Sequence, residues 1–236
     1  MFELRNNSLR AKEISIIFGV LIGITILSIV SSTWQYNLLV GIKERPEDID
    51  MPTIHLSDQF NGIVAISLLI IIILSIIYFI RWFRRAYFNL SQVPEAQVSF
   101  SEGWAAGAWF VPFLNLVRPF QIMREIWEGM QRVLTHRIGA PQSNVLIGSW
   151  WAVYLISNIY SNFTFRYSLR SEELDELIVS TRLDLIGHFL SLASAIITLV
   201  VIKRTANIEK ELWEDSLTPT ESVFSLAPEK DSQENY

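Results

Sequence analysis

Apolar positions along this chain are gathered into long uninterrupted runs. They are not spaced at the intervals that a soluble amphipathic fold uses. Four runs lack Asp, Glu, Lys and Arg altogether, at 14–42, 59–80, 141–165 and 185–202. A hydrocarbon core about 30 Å thick takes about 20 helical residues, so each run is long enough, or nearly so, to cross it. Backbone groups in lipid must be satisfied within their own segment. None of the runs alternates as a barrel strand does, so the pattern predicts helices. The second run is the purest: between Ile63 and Ile80 only Ser67, Ser75 and Tyr78 bring in polar atoms. The expected spans are 14–40, 59–80, 143–165 and 185–202, and the expected fold is an all-α, integral membrane four-helix bundle. No internal repeat is visible, and the two halves of the chain are not alike.

One apolar stretch does not fit this scheme. Trp104 to Val117 (WAAGAWFVPFLNLV) is too short to span, and its continuation brings in Arg118, Pro119 and Gln121. Proline has no N–H to bond back four residues, so Pro112 frees the carbonyl of Ala108 and Pro119 that of Asn115. Pro119 also suits the first turn of a new helix. After it, Phe120, Met123, Trp127, Met130 and Leu134 recur at spacings of three and four, with Arg124, Glu125, Glu128, Gln131 and Arg132 opposite. That is an amphipathic helix of about four turns, suited to lying in the headgroup plane. A re-entrant or interfacial hairpin broken by proline is therefore expected over about 104–135.

Charge orients the bundle. Lys and Arg in the N-terminal arm 1–13, in the 81–137 segment and just after the last span number thirteen, against five in the other two loops. Basic residues stay on the cytoplasmic side, so both termini are expected there. The first run follows Arg5, Arg10 and Lys12 but is too long for a signal-peptide core, so it reads as an uncleaved anchor. The 206–236 tail starts with helix formers that extend the last span. From Ser216 onward it has little to bury, and disorder is expected.

Composition narrows the chemistry. Of 236 residues, 50% are hydrophobic and 18% charged, the formal net charge is −5, and there is no cysteine. An acidic chain offers no basic face for nucleic acid. Without cysteine there are no disulfides or thiolate ligands, and histidines only at 55, 136 and 188 leave little for a metal site. No phosphate-binding glycine loop, dinucleotide fingerprint, zinc-peptidase motif or nucleophile elbow occurs. No catalytic residue, cofactor-binding residue or metal ligand is assigned, and an enzyme is not expected.

The motif Trp109-Phe110-x-Pro112-x-x-Asn115-Leu116-x-x-Pro119, followed by Arg124-Glu125-x-Trp127, resembles the signature of the bacterial membrane family called domain of unknown function 4328. Arg84-x-x-Tyr87-x-Asn89-Leu90 and the Trp150-Trp151 pair resemble it too. The similarity runs from about residue 60 to about residue 205. It implies a multi-pass protein of the bacterial cytoplasmic (inner) membrane and carries no activity with it.

Four constellations are candidates for function. The first is the hairpin tip. Arg118 beside a helix start is repelled by the dipole unless an anion intervenes, so it could hold a lipid phosphate, with Arg84 and Arg85 near in topology. The plainer reading is that Arg118 reaches to headgroups while Asn115 satisfies a broken backbone. The second is Asp184 with His188, one helical turn apart at the end of the last span, where a proton or metal role competes with simple edge placement. The third is a pair of small-residue stripes, Ser15-Gly19-Gly23 and Gly187-Ser191-Ala195, read as close packing inside the bundle. The fourth is a polar row, Tyr154, Asn158 and Asn162 with Ser157 and Ser161, read as interhelical glue in preference to an aqueous path.

The expectation is therefore a membrane-embedded binding or interaction module working through the hairpin residues Arg84, Trp109, Phe110, Pro112, Asn115, Arg118, Pro119 and Trp127. Its expected partners are the bilayer, anionic lipid headgroups or another membrane protein. The alternative is a small-solute transporter or channel component gated by the broken 104–119 segment.

Overall fold

The computed structural model describes residues 4–48, 50–134 and 142–217. His136 and Arg137 fall outside this range, as does the tail from 218 onward, where disorder was expected. Among the described residues the structure is helical, with no strand. The helices are α1 (Ser8–Glu44), α2 (Met51–Ser91), the short α3 (Trp104–Gly107), α4 (Arg118–Val133), α5 (Val145–Ser168) and α6 (Leu174–Leu217).

Three of them, α1, α2 and α6, are long and apolar enough to cross a membrane. At 37, 41 and 44 residues they far exceed a bilayer core, so each projects well beyond its apolar stretch. The loop expected over 166–184 is correspondingly short, because α6 begins at Leu174. The same helix runs unbroken through Ser216 to Leu217, where the sequence suggested that order ends. The third expected span, 143–165, is also helical, as α5 of 24 residues, but it is less apolar than the others because Asn158, Asn162 and several Ser and Tyr residues lie within it.

The long helices stand in a curved row. α1 packs along both α2 and α6, and α6 packs in turn along α5, whereas α2 and α5 have no comparable contact. The row is therefore open between α2 and α5. α4 lies across one end of that opening and touches α2, α5 and α6. At the opposite end Lys43 in the last turn of α1 and Asp175 in the first turn of α6 form an ion pair of 2.6 Å.

Two kinds of packing coexist. Along the apolar stretches many of the buried positions are small, including Thr25, Ser28 and Ser32 of α1 and Gly187, Ser194, Ala195 and Thr198 of α6, while Ile63, Ile66, Leu69, Ile70 and Ile73 of α2 point outward. Lipid tails are as apolar as leucine, so helix association there relies on close backbone approach and not on burial of large side chains. At the α4 end the pattern reverses. Trp82, Phe83, Tyr87, Ile122, Met123, Ile126, Trp127, Met130 and Trp150 are all buried in one cluster, as in a water-soluble core. The apolar face of α4 is thus covered by the bundle itself and not left open to lipid, as its amphipathic pattern alone suggested. Leu90 sits so close to Gly129 that a Cβ there would lie 2.8 Å from its Cδ1, so the α2–α4 crossing is tight.

Candidate functional site

The segment between α2 and α4 is held by side chains from both. Tyr87 of α2 donates its hydroxyl to Glu125 Oε2 of α4 at 2.7 Å, and the Phe100 N–H donates to the same hydroxyl at 3.1 Å. Ser99 N–H donates to Glu125 Oε2 as well. Burial, together with the bond to Glu125, pushes the Tyr87 hydroxyl well above its ordinary pKa, so it stays protonated and donating. Arg84 Nε donates to Glu102 Oε1 at 2.9 Å. The Arg118 guanidinium rests against the rings of Phe100 and Trp104, 4.5 Å from each centroid. Arg84 and Arg118 thus have partners inside the chain: one is committed to a carboxylate and the other to aromatic faces. These contacts tie the two candidate anion-site residues into the chain itself.

Beyond α3 the chain turns through Trp109–Phe113, makes a short 3-10 turn at Leu114–Leu116 and enters α4 at Arg118, with Pro119 in its first turn. The helical break comes before Pro112, because α3 already ends at Gly107. Trp109 anchors this loop. Its ring meets Phe79 and Phe83 of α2 at 5.5 and 6.0 Å, and Trp151 and Tyr154 of α5 at 6.0 and 5.9 Å, always edge-on. It therefore bridges the two helices that leave the row open. Trp151 Nε1 donates to the Leu116 carbonyl at 3.0 Å, tying the 3-10 turn to α5. Trp150 Nε1 donates to Thr198 Oγ1 at 3.0 Å, tying α5 to α6.

What this scaffold holds out is apolar. Phe110 is 71% exposed and Phe113 83%, and Val111, Leu116 and Val117 are exposed beside them. Phe113 has φ of 64°, a left-handed conformation that a bulky residue adopts at a cost of about 1–3 kcal/mol. The loop is thus strained at the residue that presents its largest exposed ring. Trp127 lies at the other extreme: it is 1% exposed on the inner face of α4 and is a core residue, not a ligand contact. Asn115 is half-buried, and its backbone N–H bonds to the Val111 carbonyl.

Between α2 and α5, floored by α1 and α6 and bordered by Trp109 and Phe110, lies a cavity of about 430 Å³. Phe79, Ile76, Trp150 and Tyr154 give it aromatic and aliphatic walls, while Ser157, Asn158, Ser191 and Thr198 supply hydroxyls and an amide. No ionisable acid or base other than Tyr154 lines it. Its size falls in the range of small-molecule pockets, roughly 300–1,000 Å³. The polar row of α5 therefore divides. Ser157 approaches Ser191 at 3.4 Å, but Asn158 and Asn162 donate to carbonyls of their own helix, at Tyr154 and Asn158, and not across an interface.

The remaining candidates separate too. Asp184 and His188 are both half-buried on α6 with no hydrogen bond between them, and no group of three or more His, Asp or Glu gathers among the described residues. Gly187 packs against the Tyr160 ring, but Gly19 and Gly23 are exposed with open space beyond them. The α1 stripe therefore faces out of the bundle, contrary to expectation.

A polar node at the α4 end was not anticipated. Glu209 of α6 is only 4% exposed. It accepts from Asn7 Nδ2 at 2.9 and 3.1 Å and from Asn89 Nδ2 at 2.7 Å. Asn89 also exchanges two bonds with the Arg5 backbone, and Asn7 Nδ2 reaches the Trp82 carbonyl. Burial pushes the Glu209 carboxyl up to about 7, against smaller opposing effects of the two amides and of the Arg85 and Arg10 charges.

Compared with known families, residues 45–207 match the one described as Domain of unknown function (DUF4328). No curated protein and no solved structure matches the chain.

Proposed function

The chain belongs to the DUF4328 family, and we propose that it is a membrane-embedded binding or interaction module whose 104–117 segment contacts lipid or a partner membrane protein. The apolar helices α1, α2 and α6 make it a membrane protein. In this reading α5, about 36 Å long, completes a four-span bundle in the bacterial inner membrane. The excess of basic residues puts both termini and α4 on the cytoplasmic side.

The observation that carries the reading is the exposed set Phe110, Val111, Phe113, Leu116 and Val117 on a loop fixed by Trp109 and Trp151. Burying a phenylalanine is worth about 1.5–3 kcal/mol, so two exposed rings and three aliphatic neighbours favour a covered state strongly. Lipid or an apolar partner surface supplies that cover; nucleic acid does not. A transporter or channel component gated by the same segment is the second reading, and the cavity beside Trp109 is what favours it. The lack of charged side chains on the cavity wall favours an apolar occupant over an ion. Among the described residues no set brings a nucleophile, base and oxyanion donor together, so a binding role is preferred to an enzymatic one.

A photo-crosslinking residue placed at Phe113 tests the proposal in native membranes. Crosslinks to lipid or to a second protein are expected. Crosslinks confined to this chain, or none, would overturn it.

A further inference from the structure

The N-terminal arm and the end of α2 bring four arginines to one edge of the bundle. Arg10 Nη1 donates to the Arg81 carbonyl at 3.1 Å. The Arg5 and Arg85 guanidiniums share the ring of Phe88, at 4.3 and 6.0 Å from its centroid, and Arg81 lies 5.2 Å from that of Tyr78. Arg81 and Arg85 stand one helical turn apart, and Arg10 is near enough to feel the charge of both. Among the described residues none of the four forms an ion pair. Arg84, on the neighbouring face, is already engaged by Glu102. Among the described residues, the carboxylates that bear on these arginines are Glu13, one turn from Arg10, and Glu209, which is buried and bonded to Asn7 and Asn89. Lys12 adds a further positive charge on α1. Four like charges held together, with Glu13 as the one carboxylate near them that is neither buried nor hydrogen-bonded among the described residues, favour an anion.

Depth identifies the kind of anion. Arg81 follows directly on the apolar run that ends at Ile80, and Arg10 comes just before the run that starts at Ile14. Both therefore sit at the boundary of the hydrocarbon, at the level of lipid phosphates. Arginine's planar fork suits a phosphate, and its apolar stem suits that boundary.

We propose that Arg5, Arg10, Arg81 and Arg85 form a binding site for the phosphate of an anionic phospholipid, at the junction of the N-terminal arm, α1 and α2. The site rests on the membrane placement proposed above but not on any role of the 104–117 segment.

The test is thermal stability of the full chain in nanodiscs of pure phosphatidylcholine and of phosphatidylcholine mixed with phosphatidylglycerol. Arg81→Gln/Arg85→Gln is compared with Lys203→Gln/Arg204→Gln, which removes the same charge from the exposed end of another span. Phosphatidylglycerol should stabilise the native chain and the α6 control, and its half-saturating fraction should rise roughly 30-fold in the Arg81/Arg85 variant. Equal responses of the two variants would overturn the proposal, as would equal stability in the two lipids. Inorganic phosphate added to the phosphatidylcholine discs separates the sources: if it reproduces the stabilisation, the site takes a free anion and the lipid assignment falls. A positive result here alongside failed crosslinking at Phe113 would retain this site and discard the loop reading.

Discussion

Glu209 joins three parts of the chain that are far apart in sequence: the arm at Asn7, the end of α2 at Asn89, and the end of α6. A buried carboxylate without a contacting cation is costly, and here amide donors bear most of its solvation. Its pKa rises from the ordinary 4.5 to about 7, so the folded chain holds this proton more tightly than the unfolded one does. Stability from this group is therefore full below about pH 4.5, falls as the pH rises toward 7, and is level above that. The linked difference is about 3 kcal/mol. Unfolding temperature in detergent should decline over that window for the native chain, and Glu209→Gln should flatten the decline. Parallel profiles for the two proteins would contradict the assignment. Asn7 Oδ1 is buried without a donor among the described residues. The signal for this node was present in the sequence. Thr205, Ile208, Glu209 and Leu212 follow helical spacing, so the acid lies in the inward stripe of the helical extension expected after the last span.

At the scale of the element, hydrophobic runs located the long helices well, because the need to satisfy backbone groups in lipid leaves few alternatives. Their ends were less legible. Met51–Asp58 and Leu174–Asp184 are helical although charged, since nothing in lipid-span reasoning tells a helix to stop where the apolar stretch does. Small-residue spacing defined a face but not its neighbour. In α1 the inward face carries Thr25, Ser28, Ser31 and Ser32, with Ser31 donating to Asn61 of α2, while Gly19 and Gly23 look outward. In α6 the stripe does pack, with a Cβ on Gly187 falling 3.4 Å from the Tyr160 ring. Gly19→Leu should therefore change stability by less than about 0.5 kcal/mol, whereas Gly187→Leu should cost about 1–3 kcal/mol. Denaturation of the two variants in one detergent compares them directly, and similar losses would count against this orientation of α1. The two prolines marked the 104–119 segment as one that cannot be a continuous helix, but the helix there already ends at Gly107, before Pro112. That its amphipathic helix packs inward, through Ile122, Met123, Ile126 and Trp127, was not legible, because periodicity shows an apolar face without saying what covers it.

At the scale of the molecule, the open row of helices gives the 109–117 loop its position. Trp109 touches both α2 and α5 across the opening, and the exposed rings of Phe110 and Phe113 extend from that bridge. A dense aromatic core at one end and small-residue packing along the apolar stretches fit a molecule half in water and half in lipid. The central claim is that the loop's apolar side chains sit in lipid or under a partner while the outer face of α4 meets water. Because the native chain has no cysteine, single cysteines at positions 110, 113 and 116, and at 124 and 128 of α4, can be read without background. Labelling by a membrane-impermeant thiol reagent in inside-out vesicles is the measurement. The account predicts rapid labelling at 124 and 128 and protection at 110, 113 and 116. Rapid labelling of 110 and 113 from the aqueous side would place the loop in water and contradict it.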